Sequence, residues 1–536
     1  MLTIRDAAAA LRRREVSSVE LVGSLLQRTT ELDGRLGAYL ARFDERALDA
    51  ARRADADFRG GVDRGPLQGI PLGLKDILLA AEGPTTAQSR MVKPGWSGGI
   101  DATAVARLRA AGAVITGKLT LAEFAVGLPG PEVPYPVPHN PWDLDCWPGV
   151  SSSGTGVAVA AGLVLGGLGT DTGGSIRLPA AMCGVTGLKP TFGRVSTAGC
   201  IPLAPSLDHV GPMARTAWDC AAILQATAGP DAADPTCAPE PVPDYLGGLD
   251  GSLREIRVGV GESSEFAMPP GPEVAAALAT AVETLGSLGA TTTTVPVPHY
   301  RRTHLAQRVV LRAESFAVHR RTLQSRWDDY SVSTRRRLAA GAFVTADDYL
   351  AATGQRALTR DALVPLFRQV DVIAMPTFAS TVLRYSYSRA LDEELLQAAS
   401  MTAYWSLLGY PALSLPVGFD QEGLPLSMQL VARPFDEVLL LKVGDAFQRS
   451  TGWHQPEPEL RSGGRGPDTR RPRSAALPDV DPRDAQQAGT LLALAGVTAG
   501  RDENALVRAY LAQRTELAEL RESAAVGPRM AMLESP

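Results

Sequence analysis

Residues 149–179 read GVSSSGTGVAVAAGLVLGGLGTDTGGSIRLP: a Ser/Gly cluster, an apolar run and a second Gly/Ser turn in immediate succession. Ser151, Ser152, Ser153 and Gly154 crowd hydroxyls at a helix start, where unpaired N–H groups and the helix dipole favour negative charge. The apolar run reads as a helix whose small residues let its backbone approach a neighbouring strand. Thr170-Asp171-Thr172-Gly173-Gly174-Ser175 follows. Two glycines before a serine permit φ > 0 and close approach of a ligand. A tight turn of this kind can aim several N–H groups at one point, as an oxyanion hole requires. Arg177 has two readings, a clamp for a substrate carboxylate or a brace for the loop. Ser152 is a further candidate for substrate contact.

Residue types alone leave this open. Ser/Gly stretches are common in turns, and the usual serine-hydrolase elbow is GxSxG. Gly149-Val150-Ser151-Ser152-Ser153 comes nearest and lacks the closing glycine. A nucleophilic serine also needs a base. His209, in SLDHVGP, is the nearest downstream histidine. Lys75, in GLKDILL, is the alternative, because a lysine shielded from water loses its proton near neutral pH. On residue types alone, a strand-end lysine paired with Asp76 is the stronger reading of Lys75.

The same grammar continues on either side. LQGIPLGLKDILL from Leu67 suits a buried strand, and AVARLRAAGAVITGKLT from Ala104 reads helix then strand. IRVGVGE, VDVIAMP and PALSLPVGF supply further strands. This is an α/β fold, with a mixed, mostly parallel β-sheet covered on both sides by helices. Before it, Ser17 and Glu20 form a capping box, and a helix is expected from Ala41 to Phe58, ending at Gly60-Gly61. Residues 226–250 read as a surface connection. The helical run from about 300 to 370 is basic, with Arg301, Arg302, Arg308, Arg312, Arg320 and Arg321 on what reads as a solvated face. Residues 461–481, RSGGRGPDTRRPRSAALPDVD, read as a flexible linker between a domain at 1–460 and a helical segment at 482–536. Leu491, Leu492, Leu494, Leu506, Val507, Tyr510 and Leu511 recur there on helical spacings. Two such helices cannot bury a core alone. They must pack on the main domain, on another copy, or on a partner.

Composition narrows the function. The chain has 536 residues and a net charge of -5, so no basic field draws in nucleic acid. Five cysteines without CxxC spacing suit a reduced, cytoplasmic protein. Six scattered histidines offer no metal site. Charges from Arg5 onward leave no signal-peptide core, and no apolar run reaches the roughly 20 residues of a membrane span.

Together, GVSSSGTGVAVAAGL and LGTDTGGSIRLPAAMCGVTGLKPTFGRVS resemble the hallmark of the amidase signature family. The resemblance extends to GIPLGLKD around Lys75, NPWD at 140–143, SLDHVGPMART at 206–216 and GYPALSLPVGFDQEGLPLSMQLVARPFDE at 409–437, and spans roughly residues 1–460. It implies a Ser–cis-Ser–Lys triad. Lys75 matches the general base, Ser151 the bridging serine with its cis peptide, and Ser175 the nucleophile. The 24-residue step from Ser151 to Ser175 matches the family's spacing. The N–H groups of Thr172, Gly173, Gly174 and Ser175 match the oxyanion hole. Val150 and Ser153 stand where the family usually has glycine, adding bulk near the mouth of the site.

The resemblance implies acyl transfer through a covalent acyl-enzyme, without cofactor or metal. The expected partner is a small-molecule amide, carboxylic or urea-type. Neither nucleic acid nor membrane is expected, and the expected assembly is a homodimer. The segment AGTLLALAGV…ENALVRAYLAQRTELAELRE is similar to a small helical subunit, fused here, that is a separate chain in tRNA-dependent amidotransferases and carboxybiuret-type hydrolases. Two alternatives stand beside a free-standing amidase: the glutaminase-type subunit of a tRNA-dependent amidotransferase, and a non-catalytic scaffold of the same fold. Specificity is expected from the Val126–His139 loop and from residues near Met375–Ser380.

Overall fold

The apolar runs pair into one sheet of eleven strands, seen in a computed structural model that describes residues 2–92, 99–385, 389–461 and 482–524. The strands are β1 (Tyr39–Arg42), β2 (Pro71–Lys75), β3 (Val114–Leu119), β4 (Gly166–Asp171), β5 (Thr186–Lys189), β6 (His209–Ala214), β7 (Arg257–Glu262), β8 (Thr291–Pro296), β9 (Val372–Pro376), β10 (Ala412–Phe419) and β11 (Pro425–Ala432). Their order across the sheet is β1-β3-β2-β4-β6-β5-β10-β11-β9-β7-β8.

The sheet is mixed as expected, but it is not mostly parallel. Parallel pairing is confined to β3-β2-β4 and β9-β7-β8. The other neighbours are antiparallel. A short turn joins β10 to β11, with Asp420 N donating to Leu424 O at 2.8 Å, and such a connection allows only antiparallel pairing. β2, β3 and β4 are buried along their whole length, which explains their uninterrupted apolar character.

The capping box forms as expected. Ser17 Oγ accepts from Glu20 N at 3.1 Å, and the Glu20 carboxylate accepts from Ser17 N at 2.8 Å. The helix expected over 41–58 begins only at Asp44, because Tyr39 to Arg42 pair with the outer edge of β3. Among the described residues, no helix is long and apolar enough to cross a membrane.

Apart from Arg461, the expected linker lies outside the described residues. Beyond it, helices Pro482–Leu494 and Glu503–Ala524 pack on the main body of the same chain. Leu506, Val507 and Tyr510 join the principal core, with the Tyr510 ring 5.1 Å from that of Phe343. Leu517 and Leu520 pack against Ala306, Val309, Val310 and Ala352. This corrects the solvated-face reading of the basic run. Arg308 and Arg312 pair with Glu516 at 2.9 and 3.1 Å, and Arg320 Nε donates to Ala495 O at 3.3 Å. Arg301, Arg302 and Arg321 do face solvent. The partners of the paired arginines lie far downstream in sequence, beyond the reach of any local pattern.

Candidate active site

Lys75 is the last residue of β2, and Thr170 and Asp171 end β4, its parallel neighbour. Parallel pairing brings these C-terminal strand ends together. The Lys75 side chain is fully buried, and its Nζ donates to Ser151 Oγ at 2.8 Å and to Thr170 Oγ1 at 2.7 Å. Burial pulls its pKa down to about 7, against smaller opposing pulls from Cys200, Asp171 and Asp208. The Lys75–Asp76 pair does not form. Successive residues leave a strand on opposite faces, and Asp76 pairs with Lys118 at 2.9 Å while accepting from Thr86 N at 2.9 Å.

Ser151 and its neighbours are held at the start of the buried helix Ser153–Ala160. The Val150–Ser151 peptide is cis. Gly149 has φ +80, and a Cβ there would stand 2.6 Å from Pro179 Cα, so no side chain fits. The three serines do different work. Ser151 lines the cavity described below. Ser152, a candidate substrate contact, is fully buried and lies outside the cavity lining; its Oγ donates to Thr170 O and accepts from Thr170 N, each at 3.2 Å. A serine that close to the helix start satisfies backbone before it can meet a ligand. Ser153 Oγ turns inward to Gly149 O at 2.6 Å, so of the two departures from the family only Val150 reaches the cavity.

The turn from Thr172 to Ser175 is pinned through its carbonyls. Gln307 Nε2 donates to Thr172 O at 3.1 Å, Thr402 Oγ1 to Gly173 O at 2.6 Å, and Ser152 N to Ser175 O at 3.1 Å. In a trans peptide the C=O and the following N–H point in opposite directions. The first two pins therefore aim the N–H groups of Gly173 and Gly174 away from Gln307 and Thr402. Among the described residues, nothing accepts from the N–H of Gly173, Gly174 or Ser175. Only Gly174 uses the freedom expected of both glycines: its φ is +140, and a Cβ would meet Thr402 Oγ1 at 2.1 Å. Thr172 Oγ1 donates to Asp208 Oδ1 at 2.6 Å, and Asp208 Oδ2 accepts from the N–H groups of Leu203 and Ala204 at 2.8 and 3.0 Å. Burial pushes Asp208 up to about 6, against these hydrogen bonds.

Of the two readings of Arg177, the structure supports the brace. Its side chain is fully buried and outside the cavity lining. Nε and Nη2 donate to the two Asp171 oxygens at 3.0 Å, Nη1 to Gln429 Oε1 at 3.0 Å, and Nη2 also to Ser406 Oγ at 2.7 Å. Burial alone would raise the Asp171 pKa; the Arg177 guanidinium outweighs it and holds the carboxyl well below the usual carboxylate range. His209 is set apart as well. Its Nδ1 faces Leu207 O at 2.6 Å and Asp171 O at 3.0 Å, so Nδ1 carries the proton, and the ring does not line the cavity.

The cavity over Ser151 and Ser175 has a volume of about 480 Å³. Val126, Gly127 and Leu128 of the Val126–His139 loop are lining residues, whereas no residue of 375–380 is. The helices Tyr300–Ser325, Val332–Ala339 and Arg389–Ala399 also contribute lining residues, as does Ala509 of the C-terminal helix. Gln307, Thr402, Thr170 and Asp208 escaped the sequence reading as site residues. Thr170 and Asp208 lay inside quoted motifs; nothing local marked Gln307 or Thr402. Among the described residues, no cluster of His, Cys, Asp or Glu is placed to hold a metal ion.

Comparison with known proteins is consistent with this geometry. The family model described as Amidase matches residues 20–441. AmiD of Mycobacterium tuberculosis is 42% identical over 463 residues, covering 86% of this chain and 96% of AmiD. A glutamyl-tRNA(Gln) amidotransferase chain of Roseiflexus castenholzii is 41% identical, covering 86% of this chain and 98% of that protein. The solved structure of the native peptide amidase of Stenotrophomonas maltophilia superimposes with a TM-score of 0.74 at 30% identity, covering 86% of this chain and 99% of the amidase. The two C-terminal helices lie outside the family match.

Proposed function

The chain belongs to the amidase family, a family of amide-cleaving hydrolases, and from that premise we propose that it hydrolyses a small-molecule amide through Ser175, with Lys75 as base acting through Ser151. The observation that carries this reading is the Lys75 amine. It is buried, has no carboxylate in hydrogen-bond contact among the described residues, and sits 2.8 Å from a serine hydroxyl that shares a cavity with Ser175.

In the forward step, neutral Lys75 accepts the Ser151 proton while Ser151 accepts that of Ser175. Ser175 Oγ bonds to the carbonyl carbon, and the carbonyl π pair moves onto oxygen. The N–H groups of Thr172, Gly173, Gly174 and Ser175 receive that charge. The C–N bond then breaks, with the proton returned through Ser151 to the leaving nitrogen. Water repeats the sequence on the ester, releasing the acid and restoring Ser175.

Ammonia release across amides, ureas, carboxylated ureas and glutamine tests the reading. Ser175→Ala is expected to abolish turnover, and wild-type protein quenched during turnover to carry one acyl group on Ser175 by mass spectrometry. Substantial activity in clean Ser175→Ala protein rules the nucleophile out. The similarity to the amidotransferase chain favours a second reading, ammonia production from glutamine for a partner protein. Glutaminase activity that emerges only with such a partner present would select it.

A further inference from the structure

The cavity that Ser175 lines is also crowded with charge. Arg308, Arg312, Arg336 and Arg337 all line it. Arg337 pairs with Glu393, also a lining residue. The other three find their carboxylates on the C-terminal segment, outside the family match. Arg308 and Arg312 share Glu516 at 2.9 and 3.1 Å, and Arg336 pairs with Asp502 at 2.6 Å. These groups are only partly accessible, with side-chain exposures of 28% for Arg308, 23% for Arg312 and 23% for Glu516. Ala509 lies between the two acids in sequence and lines the cavity itself.

We propose that the C-terminal helix sets the charge preference of the pocket: Glu516 and Asp502 occupy the arginines of the cavity wall, so that the site selects uncharged amides over amides bearing a carboxylate. The inference rests on the reading of this cavity as the amide site. Its physical basis is competition for the same donors. Glu516 engages Nη1 of each of Arg308 and Arg312 and neutralises the local charge, so an incoming anion gains less from either guanidinium. A second carboxylate near Glu516 also meets like charge in a partly desolvated place, where repulsion is poorly screened. With Glu516 removed, two adjacent guanidiniums lose their counter-ion and become a carboxylate site. Burial and the neighbouring Arg308 already depress the Arg312 pKa to about 10, as expected where two cations depend on one acid.

The test separates binding from turnover. Benzamide and 4-carbamoylbenzoate differ by one carboxylate, and their binding is measured by calorimetry to full-length Ser175→Ala protein, with and without Glu516→Gln. Ser175→Ala is expected to bind benzamide more tightly than 4-carbamoylbenzoate. Adding Glu516→Gln is expected to raise affinity for 4-carbamoylbenzoate about ten- to a hundredfold, the range of a charge-assisted contact, and to leave benzamide within about twofold. Replacing Arg308 and Arg312 by Gln as well is expected to cancel the gain. Unchanged selectivity in the Glu516→Gln protein overturns the proposal, as does a gain that survives loss of both arginines or no binding of either probe. Wild-type ammonia release from benzamide is scored separately. Absent turnover alongside an intact binding switch counts against the Ser175 mechanism and leaves the charge preference standing. Ser175-dependent turnover without the switch does the reverse.

Discussion

Burial, more than any single contact, lowers the Lys75 pKa and suits it to the base role proposed for it. An exposed lysine stays protonated far above neutrality, but here burial disfavours the charged form, no carboxylate among the described residues lies in hydrogen-bond contact with it, and the pKa falls to about 7. The proposed reaction needs the neutral amine. kcat/KM is therefore expected to rise with pH through an acid limb near 7 and to level off above it; a pH-rate profile checks this, and Lys75→Met should be inactive at every pH. Stability carries the same sign. The folded-state pKa lies below that of the unfolded chain, so between about 7 and about 10 the unfolded chain binds the extra proton. Wild-type stability should rise with pH across that window relative to Lys75→Met. At this scale the sequence singled out Lys75 and Ser151, which the fold brings to 2.8 Å, and Ser175, which lines the same cavity as Ser151. It was ambiguous where one side chain could serve two roles. Arg177 could hold a ligand or a loop, and only the position of Asp171, Gln429 and Ser406 around it decides.

Among the elements, the helix Tyr300–Ser325 meets the cavity directly although it lies far from Ser175 in sequence. It sends Gln307 to Thr172 O and lines the cavity with Arg308 and Arg312, while its far end meets Ala495 through Gln324 at 2.7 Å. Gln307→Leu removes the donor that orients the Gly173 peptide without disturbing the apolar packing of Ala306, Val309 and Val310. It is expected to lower kcat about tenfold, less than the hundredfold or more of losing an oxyanion donor outright, with KM little changed. Steady-state kinetics alongside a thermal melt would separate this from misfolding. Nothing local announced that role, because a glutamine in a long basic helix has the same pattern whether it faces water or a turn far away in the chain. β1 was hidden for a related reason. Tyr39 to Arg42 run directly into a true helix, and only the open edge of β3 makes them a strand. Short apolar runs were legible as strands because burial on both faces leaves them no polar alternation. Their relative directions were not, since direction depends on how the chain travels between them.

Across the whole molecule, the C-terminal helices complete a surface that the catalytic body leaves apolar. Leu506, Val507, Tyr510, Leu517 and Leu520 cover Phe343, Ala306, Val309 and Val310. Deleting residues 482–536 is expected to lower the thermal midpoint by several degrees or more and to promote self-association, because it uncovers apolar side chains in two clusters. Scanning calorimetry and light scattering check this. An unchanged midpoint and a monodisperse product would show that the helices contribute nothing to the fold. The strand order has another consequence, for the order in which the protein is made. β10 and β11 sit between β5 and β9, joining a half-sheet built from residues 39–214 to one built from residues 257–376. Until residue 432 has left the ribosome, each half exposes an unpaired strand, β5 on one and β9 on the other. The nascent chain thus carries the β5 edge open while the whole second half-sheet is being made, and the hairpin that seals both edges is the last part of the sheet to be translated.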